Sequence, residues 1–179
     1  MGATHDYIPI QLTKEFRRAQ ENKLFRSWLD RQQAIMAIEF PVEDCPEVAG
    51  IMYTEESLAV VENKLLSLYD NFRDALDEQH VHTTMRYVYY IGETYRIAFE
   101  GTWAALPKAG AGADDNTPVV DLPFWETLLK PMESVQAALN RRNGSELAGQ
   151  YPYAQRDYLA WVEAGRPERT YRGTLREND

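Results

Sequence analysis

The sequence predicts an α+β fold: a single, predominantly helical domain that carries one small antiparallel β-hairpin. Residues 54–78 and 84–100 place apolar side chains three and four positions apart, which is the spacing of an amphipathic helix. Two short apolar runs within residues 102–122, "TWAAL" and "PVVDL", flank a stretch of small and polar residues, which is typical of a hairpin with a long loop. A chain of 179 residues fits one domain of ordinary size.

The N-terminal half is predicted to form two long helices. The first begins at Thr13, a competent N-cap, and runs through "KEFRRAQENKLFRSWLDRQQ". Residues 34–40 fit either an extension of this helix or a short strand, and Pro41 ends whichever forms. Thr54 caps the second helix, which covers residues 54–78. Its core-facing stripe comprises Leu58, Val61, Leu65, Leu68, Phe72 and Leu76. Its acidic residues fall largely outside that stripe: Glu55, Glu56, Glu62, Asp70, Asp74, Asp77 and Glu78.

A third helix is predicted to begin near Thr83 or Thr84, with Gly101 suited to the position just past its end. After the hairpin, "PFWETLLK" is expected to be helical and to break or kink at Pro131, and Ser145 is expected to cap a short helix. The stretch "QRDYLAWVEAG" forms a final helix. The domain is expected to span residues 1–165, followed by a mobile, charged tail over residues 166–179.

The net charge of −9 is concentrated in one segment of the chain. Residues 41–84 carry 10 acidic and 2 basic side chains, whereas residues 1–40 carry 5 and 6. Such a field repels nucleic acid and anionic membranes, and it steers a basic partner toward the protein. A solvated helix face that aids solubility is the alternative explanation.

Several classes of protein are not indicated by the sequence. No apolar run approaches the roughly 20 residues of a membrane-spanning helix, and the start "MGATHDYIPI" is not a secretory signal. The single cysteine, Cys45, cannot form an internal disulfide and does not favour a zinc site built on thiolates. We therefore expect a cytoplasmic protein without a metal or other cofactor.

One charged pair interrupts the aromatic stretch "YIGETYRIAFEGTW". Glu93 and Arg96 lie three positions apart on the predicted third helix and can pair there beside Tyr95. The first interpretation is a structural clamp that orients the helix against the hairpin. Gly92 costs helix stability, and a close approach of Trp103 is the simplest reason for a glycine there. In the alternative interpretation, Arg96 grips an anionic ligand and Glu93 orients or deprotonates it within an internal pocket.

Other patterns give little support to catalysis. His80 and His82 form an H-x-H pair near the end of a predicted helix with no third ligand nearby in sequence, so a helix-end histidine is the ordinary explanation. Gly110 and Gly112 lie in a loop that lacks the ending of a phosphate-binding loop. The acidic surroundings of Cys45 raise, and do not lower, the pKa of its thiol. No residue is predicted to be catalytic.

Two stretches resemble a pattern found in small, acidic, uncharacterised actinobacterial proteins, some of which act as immunity partners of secreted toxins. The first is "YTEESLAVVENKLL", with Tyr53, Ser57, Leu58 and Glu62, and the second is "YIGETYRIAFEGTW", leading through Gly101 to Trp103. These are framework motifs covering about 30 residues. The resemblance implies a shared fold and an immunity-type binding role, and it assigns no catalytic residue.

The leading hypothesis is therefore a non-catalytic domain that binds a partner protein, a toxin, and occludes its active site. The acidic residues Asp70, Asp74 and Asp77 are expected to guide the encounter. The loop carboxylates Asp114 and Asp115 are expected to supply close contacts, and Trp103 and Trp125 lie near them in sequence. Burial of both tryptophans in the core is the competing expectation.

Overall fold

The computed structural model describes residues 8–108 and 116–172, and within them it confirms a predominantly helical α+β chain with one antiparallel hairpin. The α-helices are α1 (Lys14–Ala19), α2 (Lys23–Ile38), α3 (Glu55–Leu68), α4 (Phe72–Ala75), α5 (Val81–Ala98), α6 (Pro131–Arg141), α7 (Glu146–Gly149) and α8 (Tyr151–Glu163). The strands are β1 (Thr102–Pro107) and β2 (Asn116–Asp121).

The first helical region is divided in two, where a single helix was predicted. Thr13 caps α1 as expected. Asn22 then caps α2, because its Oδ1 accepts hydrogen bonds from the N–H groups of residues 24 and 25 at 2.8 and 3.1 Å. The open choice for residues 34–40 is resolved in favour of helix, since α2 continues to Ile38 and ends before Pro41.

The predicted helix over residues 54–78 is correct at its start and wrong after Leu68. Thr54 caps α3 as predicted. The chain then leaves the helix, and the Asn71 side chain caps the separate helix α4 by accepting from the Asp74 N–H at 3.1 Å. Asn side chains compete with helical hydrogen bonds in this way. As a result Leu68 and Leu76, both assigned to the core stripe, are 43% and 40% exposed.

Glu62 is a second correction on α3. It was assigned to the acidic outer face, but the structure buries it completely. Its Oε2 accepts a hydrogen bond of 2.8 Å from the backbone N–H of Leu147 on α7. A buried carboxylate needs such a partner because desolvation of its charge is costly. Glu62 therefore holds α7 against α3.

Helix α5 is the centre of the fold and packs against α2, α3, α6 and both strands. Residues 87–95 are all buried, so the helix has no solvent face over that length, unlike the single stripe that the sequence predicted. Three of its tyrosines donate hydrogen bonds to other segments: Tyr87 to the Asp44 carbonyl (2.7 Å), Tyr90 to the Ser57 hydroxyl (2.7 Å) and Tyr95 to the Leu147 carbonyl (3.1 Å).

The hairpin packs on α5 as predicted, and its strands pair from Thr102 with Asp121 to Pro107 with Asn116. The helix ends in a Schellman arrangement, in which the Gly101 N–H donates to the Arg96 carbonyl at 3.0 Å. The left-handed residue just past the helix is Glu100 (φ 54°), so the prediction of Gly101 at that position is wrong by one residue.

The segment after the hairpin was predicted to be helical, and it is not. Leu129 exchanges two backbone hydrogen bonds of 2.9 Å with Val120, which draws residues 122–130 along the edge of β2. Pro131 does not kink a helix; it opens α6 at the first helical position, where its missing N–H is not needed. Ser145 occupies the N-cap position of α7, but its side chain makes no capping hydrogen bond.

Gly92 supplies a test of the contact between α5 and the hairpin. A Cβ atom at this position would lie 2.1 Å from Cη2 of Trp103, which confirms the predicted close approach. Trp103 stacks on Tyr89 with 5.2 Å between ring centroids, so its ring has little freedom to move away. We expect Gly92→Ala to destabilise the protein by about 1–3 kcal/mol in urea unfolding, because overpacking outweighs the better helix propensity of alanine.

Gly149→Ala is the matched control, since nothing lies within 4 Å of a Cβ atom at that helical position. It should leave the free energy of unfolding unchanged or slightly higher. Equal effects of the two substitutions would contradict tight packing at Gly92.

Candidate functional site

The Glu93 carboxylate joins α5 to β1. Its Oε1 accepts from Arg96 Nη2 at 2.7 Å, and its Oε2 accepts from Arg96 Nε and from the indole Nε1 of Trp103, both at 2.8 Å. Glu93 is 8% exposed, so these charge-assisted bonds form in a largely dry environment. The predicted pair is thus present, and the tryptophan is a third member that the sequence analysis placed nearby only for packing.

Both carboxylate oxygens of Glu93 accept hydrogen bonds from Arg96 or Trp103. If Glu93 acted as a general base, it would have to break one of these bonds to accept a proton. Tyr95 does not join the pair; it points into the core, where its hydroxyl bonds the Leu147 carbonyl. Burial, followed by the charge of Glu93, raises the pKa of the neighbouring Tyr89 to about 12. These contacts favour the structural clamp over an anion-binding pocket.

The three acidic residues chosen for the encounter with a partner lie close together around α4. Asp74 Oδ2 accepts from the Asp70 N–H at 3.3 Å, and the Asp77 N–H donates to the Asp74 carbonyl at 3.0 Å. Asp70 and Asp77 are exposed, as is Glu78, whereas Asp74 is half-buried. We call Asp70, Asp74, Asp77 and Glu78 the acidic surface.

The histidine pair does not gather further ligands. His80 Nδ1 lies 2.9 Å from the Asp74 carbonyl and 3.2 Å from its carboxylate Oδ1, so it closes the turn after α4. His82 is exposed on the first turn of α5. Among residues 8–108 and 116–172, no three His, Cys, Asp or Glu side chains are placed to hold a metal ion.

The two tryptophans named as contact residues have different surroundings. Trp103 is half-buried, stacks on Tyr89 and meets Trp28 edge to face at 5.9 Å. Trp125 donates from Nε1 to Asp157 at 2.9 Å, a hydrogen bond that lowers the pKa of Asp157. Trp125 also borders two surface clefts of about 800 and 730 Å³. Both tryptophans are half-buried, and Trp103 also borders a surface cleft, of about 340 Å³, so neither is confined to the interior.

Some predicted residues lie outside the part of the chain that the structure describes. These are the loop carboxylates Asp114 and Asp115, with Gly110 and Gly112 beside them. Their role in contacting a partner stays a prediction. Of the predicted tail, residues 166–172 are described, and they contact the segment that follows β2.

Among the contacts that sequence reasoning missed are two in which an acidic side chain binds a distant segment. Asp157 binds Trp125, and Asp121 forms an ion pair of 2.7 Å with Arg169. In both cases the partners are more than 30 positions apart, so spacing along the chain contained no signal for them. The only hint of the Asp121–Arg169 pair in the sequence was the charge of the tail, which contains Arg169.

Comparison with protein-family models, with curated proteins and with solved structures finds no match for this chain. The resemblance to immunity-type proteins therefore remains a prediction. Within the described residues, none of the helices combines the length and the apolar character that crossing a membrane requires.

The clamp at Glu93 can be tested against a surface pair of similar spacing. Glu93→Gln removes the charge from three hydrogen bonds and turns an amide N–H₂ toward a donor. We expect a loss of about 1–3 kcal/mol in the free energy of unfolding. Glu133, which pairs with Lys130 at 2.8 Å and is 65% exposed, provides the control: Glu133→Gln should cost at most about 0.5 kcal/mol. A loss at Glu93 no larger than that at Glu133 would refute the clamp.

Cys45 is a built-in test of the packing beneath α2. Its thiol is fully buried, and burial together with the charge of Glu47 raises its pKa to about 12. Since only the thiolate reacts, we expect a thiol reagent at pH 8 to label the native protein about a thousandfold more slowly than the urea-unfolded chain. Labelling of the native protein as fast as the unfolded chain would contradict the buried position.

Proposed function

We propose that this protein is a non-catalytic binding protein that neutralises a basic partner protein, a toxin, by covering its active site with the acidic surface. The observation that carries the proposal is the uncompensated charge of residues 41–84. Within the described residues, six exposed carboxylates of this segment have no ion-pair partner. They are Glu43, Glu55, Glu56, Asp70, Asp77 and Glu78.

Apart from Glu43, these carboxylates form two groups. Glu55 and Glu56 lie at the start of α3, where they also favour the positive end of the helix dipole. Asp70, Asp77 and Glu78 lie beyond its other end, about 20 Å away for a helix of this length. Only the second group is concentrated within two short turns, next to the half-buried Asp74. That concentration favours the acidic surface as the region that first meets a basic partner.

The carboxylates of the interior support a binding role in another way. Glu62 and Glu93 hold elements of the fold together. Asp44 and Glu39 pair with Arg86 at 2.8 and 3.0 Å. The charges that remain for recognition are thus the exposed, unpaired ones. Such exposed charges support the binding of a basic partner.

The first test is expression of this protein together with candidate toxins encoded beside its gene. A true partner should co-purify with it at low and at moderate salt, and co-expression should restore the growth of cells that the toxin alone arrests. Failure of every neighbouring candidate in both assays would count strongly against the proposal.

Charge reversal tests the surface itself. Replacing Asp70, Asp77 and Glu78 by lysine should slow association with the partner by about tenfold or more at low salt and flatten its salt dependence, because these charges steer the encounter. Asp74 is left intact since its carboxylate holds the turn after α4. The measurement is the association rate by surface plasmon resonance at several salt concentrations.

The control reverses three exposed carboxylates elsewhere: Glu21, Asp30 and Glu163. This variant has the same net charge and should lose less of the association rate. Equal slowing in both variants would show that total charge, and no particular surface, governs the encounter.

A further inference from the structure

Residues 166–172, "RPERTYR", lie across the segment that follows β2, and we call them the C-terminal strap. Only two strap side chains are substantially covered: Arg169 and Tyr171 are half-buried, and the other five residues are exposed. The strap is therefore attached mainly through one anchor, while most of its length stays open to solvent.

Arg169 is that anchor. Its Nη2 lies 2.7 Å from Oδ1 of Asp121 and donates to the Leu122 carbonyl at 2.8 Å. Its Nε donates to the Pro123 carbonyl at 3.4 Å, and its Nη1 donates to the Tyr171 hydroxyl at 3.1 Å. The side chain of Arg169 is only 14% exposed. One carboxylate and two consecutive carbonyls thus form a site whose shape and charge suit a guanidinium group.

Beside this site a cleft of about 730 Å³ lies between the strap and the segment after β2, and residues 167–172 of the strap supply half of its lining. Its walls include the aromatic side chains of Phe124, Trp125 and Trp161. The remaining ties of the strap lie nearer the surface: Arg166 donates from Nε and Nη2 to Glu100, with the two side chains 48% and 43% exposed, and the Trp161 indole donates to the Pro167 carbonyl at 3.0 Å. The Arg172 N–H donates to Glu126 at 3.3 Å. Ion pairs this exposed add little to binding.

We propose that the surface formed by Asp121, Leu122, Pro123 and the adjoining aromatic cleft is a receptor for an extended, arginine-bearing peptide segment of another protein. In the isolated chain the strap occupies this receptor as a displaceable stand-in. The inference concerns residues other than those of the acidic surface and stands independently of the proposed neutralisation of a toxin.

The contacts of the strap specify the chemistry of the segment that replaces it. The segment carries an arginine, because a lysine ammonium is a point charge and does not present the spread of donors that reaches the two carbonyls while the positive charge lies beside the Asp121 carboxylate. It needs no helix or strand, since residues 166–171 of the strap form neither, and it offers apolar or aromatic groups to the cleft. A tethered strap competes at a high effective concentration, so a replacing segment must add contacts in that cleft.

The test uses the full chain and a fluorescently labelled peptide that copies the strap, RPERTYR. In the Arg169→Ala protein the strap loses its anchor, and we expect the peptide to bind at least about tenfold more tightly than it binds the wild-type protein, as measured by fluorescence anisotropy. Adding Asp121→Asn to that variant should weaken the binding again by about tenfold or more. The same peptide with its central arginine replaced by alanine should not bind.

Binding of the peptide to the Arg169→Ala protein no tighter than to the wild type would overturn the proposal, provided that circular dichroism shows the fold intact. Peptide binding that is unchanged when Asp121→Asn is added to the Arg169→Ala variant would also overturn it. Should Arg169→Ala unfold the protein, hydrogen exchange on the wild-type chain decides. Saturating peptide should accelerate exchange at the Arg172 amide, whose N–H donates to Glu126, and unchanged exchange there would likewise overturn it.

Discussion

Burial of α5 on every side over residues 87–95 is the constraint on which the rest of the structure depends. A helix with no solvent face must find a partner for each polar atom that it takes into the interior. The hydroxyls of Tyr87, Tyr90 and Tyr95 meet this requirement by bonding to the segment before α3, to α3 itself and to α7. Glu93 meets it through Arg96 and Trp103. The polar atoms of one helix thereby decide where its neighbours lie.

The acidic residues of this chain serve two purposes. Some stabilise the fold: Glu62 binds the backbone of α7, and Asp157 binds Trp125. Others, such as Asp70 and Asp77, remain exposed. Their unpaired charges lower stability slightly by mutual repulsion, and they give the protein a field that favours basic partners. The composition alone does not separate these groups, because the separation depends on which carboxylates the long-range packing encloses.

The sequence was informative at several places where the structure depends on short spacing. The caps at Thr13 and Thr54, the hairpin and the close approach at Gly92 all follow from residues near one another in the chain. The break after Leu68 was missed because the apolar rhythm continues through it, although the pair Asp70-Asn71 is a typical capping signal. The destinations of Glu62 and Arg169 could not be predicted, since each partner lies far away in sequence.

The long-range hydrogen bonds limit the order in which the interior can form while the chain is being synthesised. Gln20 on the first helices bonds the backbone of Ala105, and Glu62 bonds that of Leu147, 85 positions further on in each case. Glu62 thus has no partner for its charge until residues beyond α6 have left the ribosome. The Glu62 carboxylate of α3 stays hydrated while the residues between α3 and α7 are synthesised. Helix α3 therefore cannot reach its final packing before α7 has been synthesised.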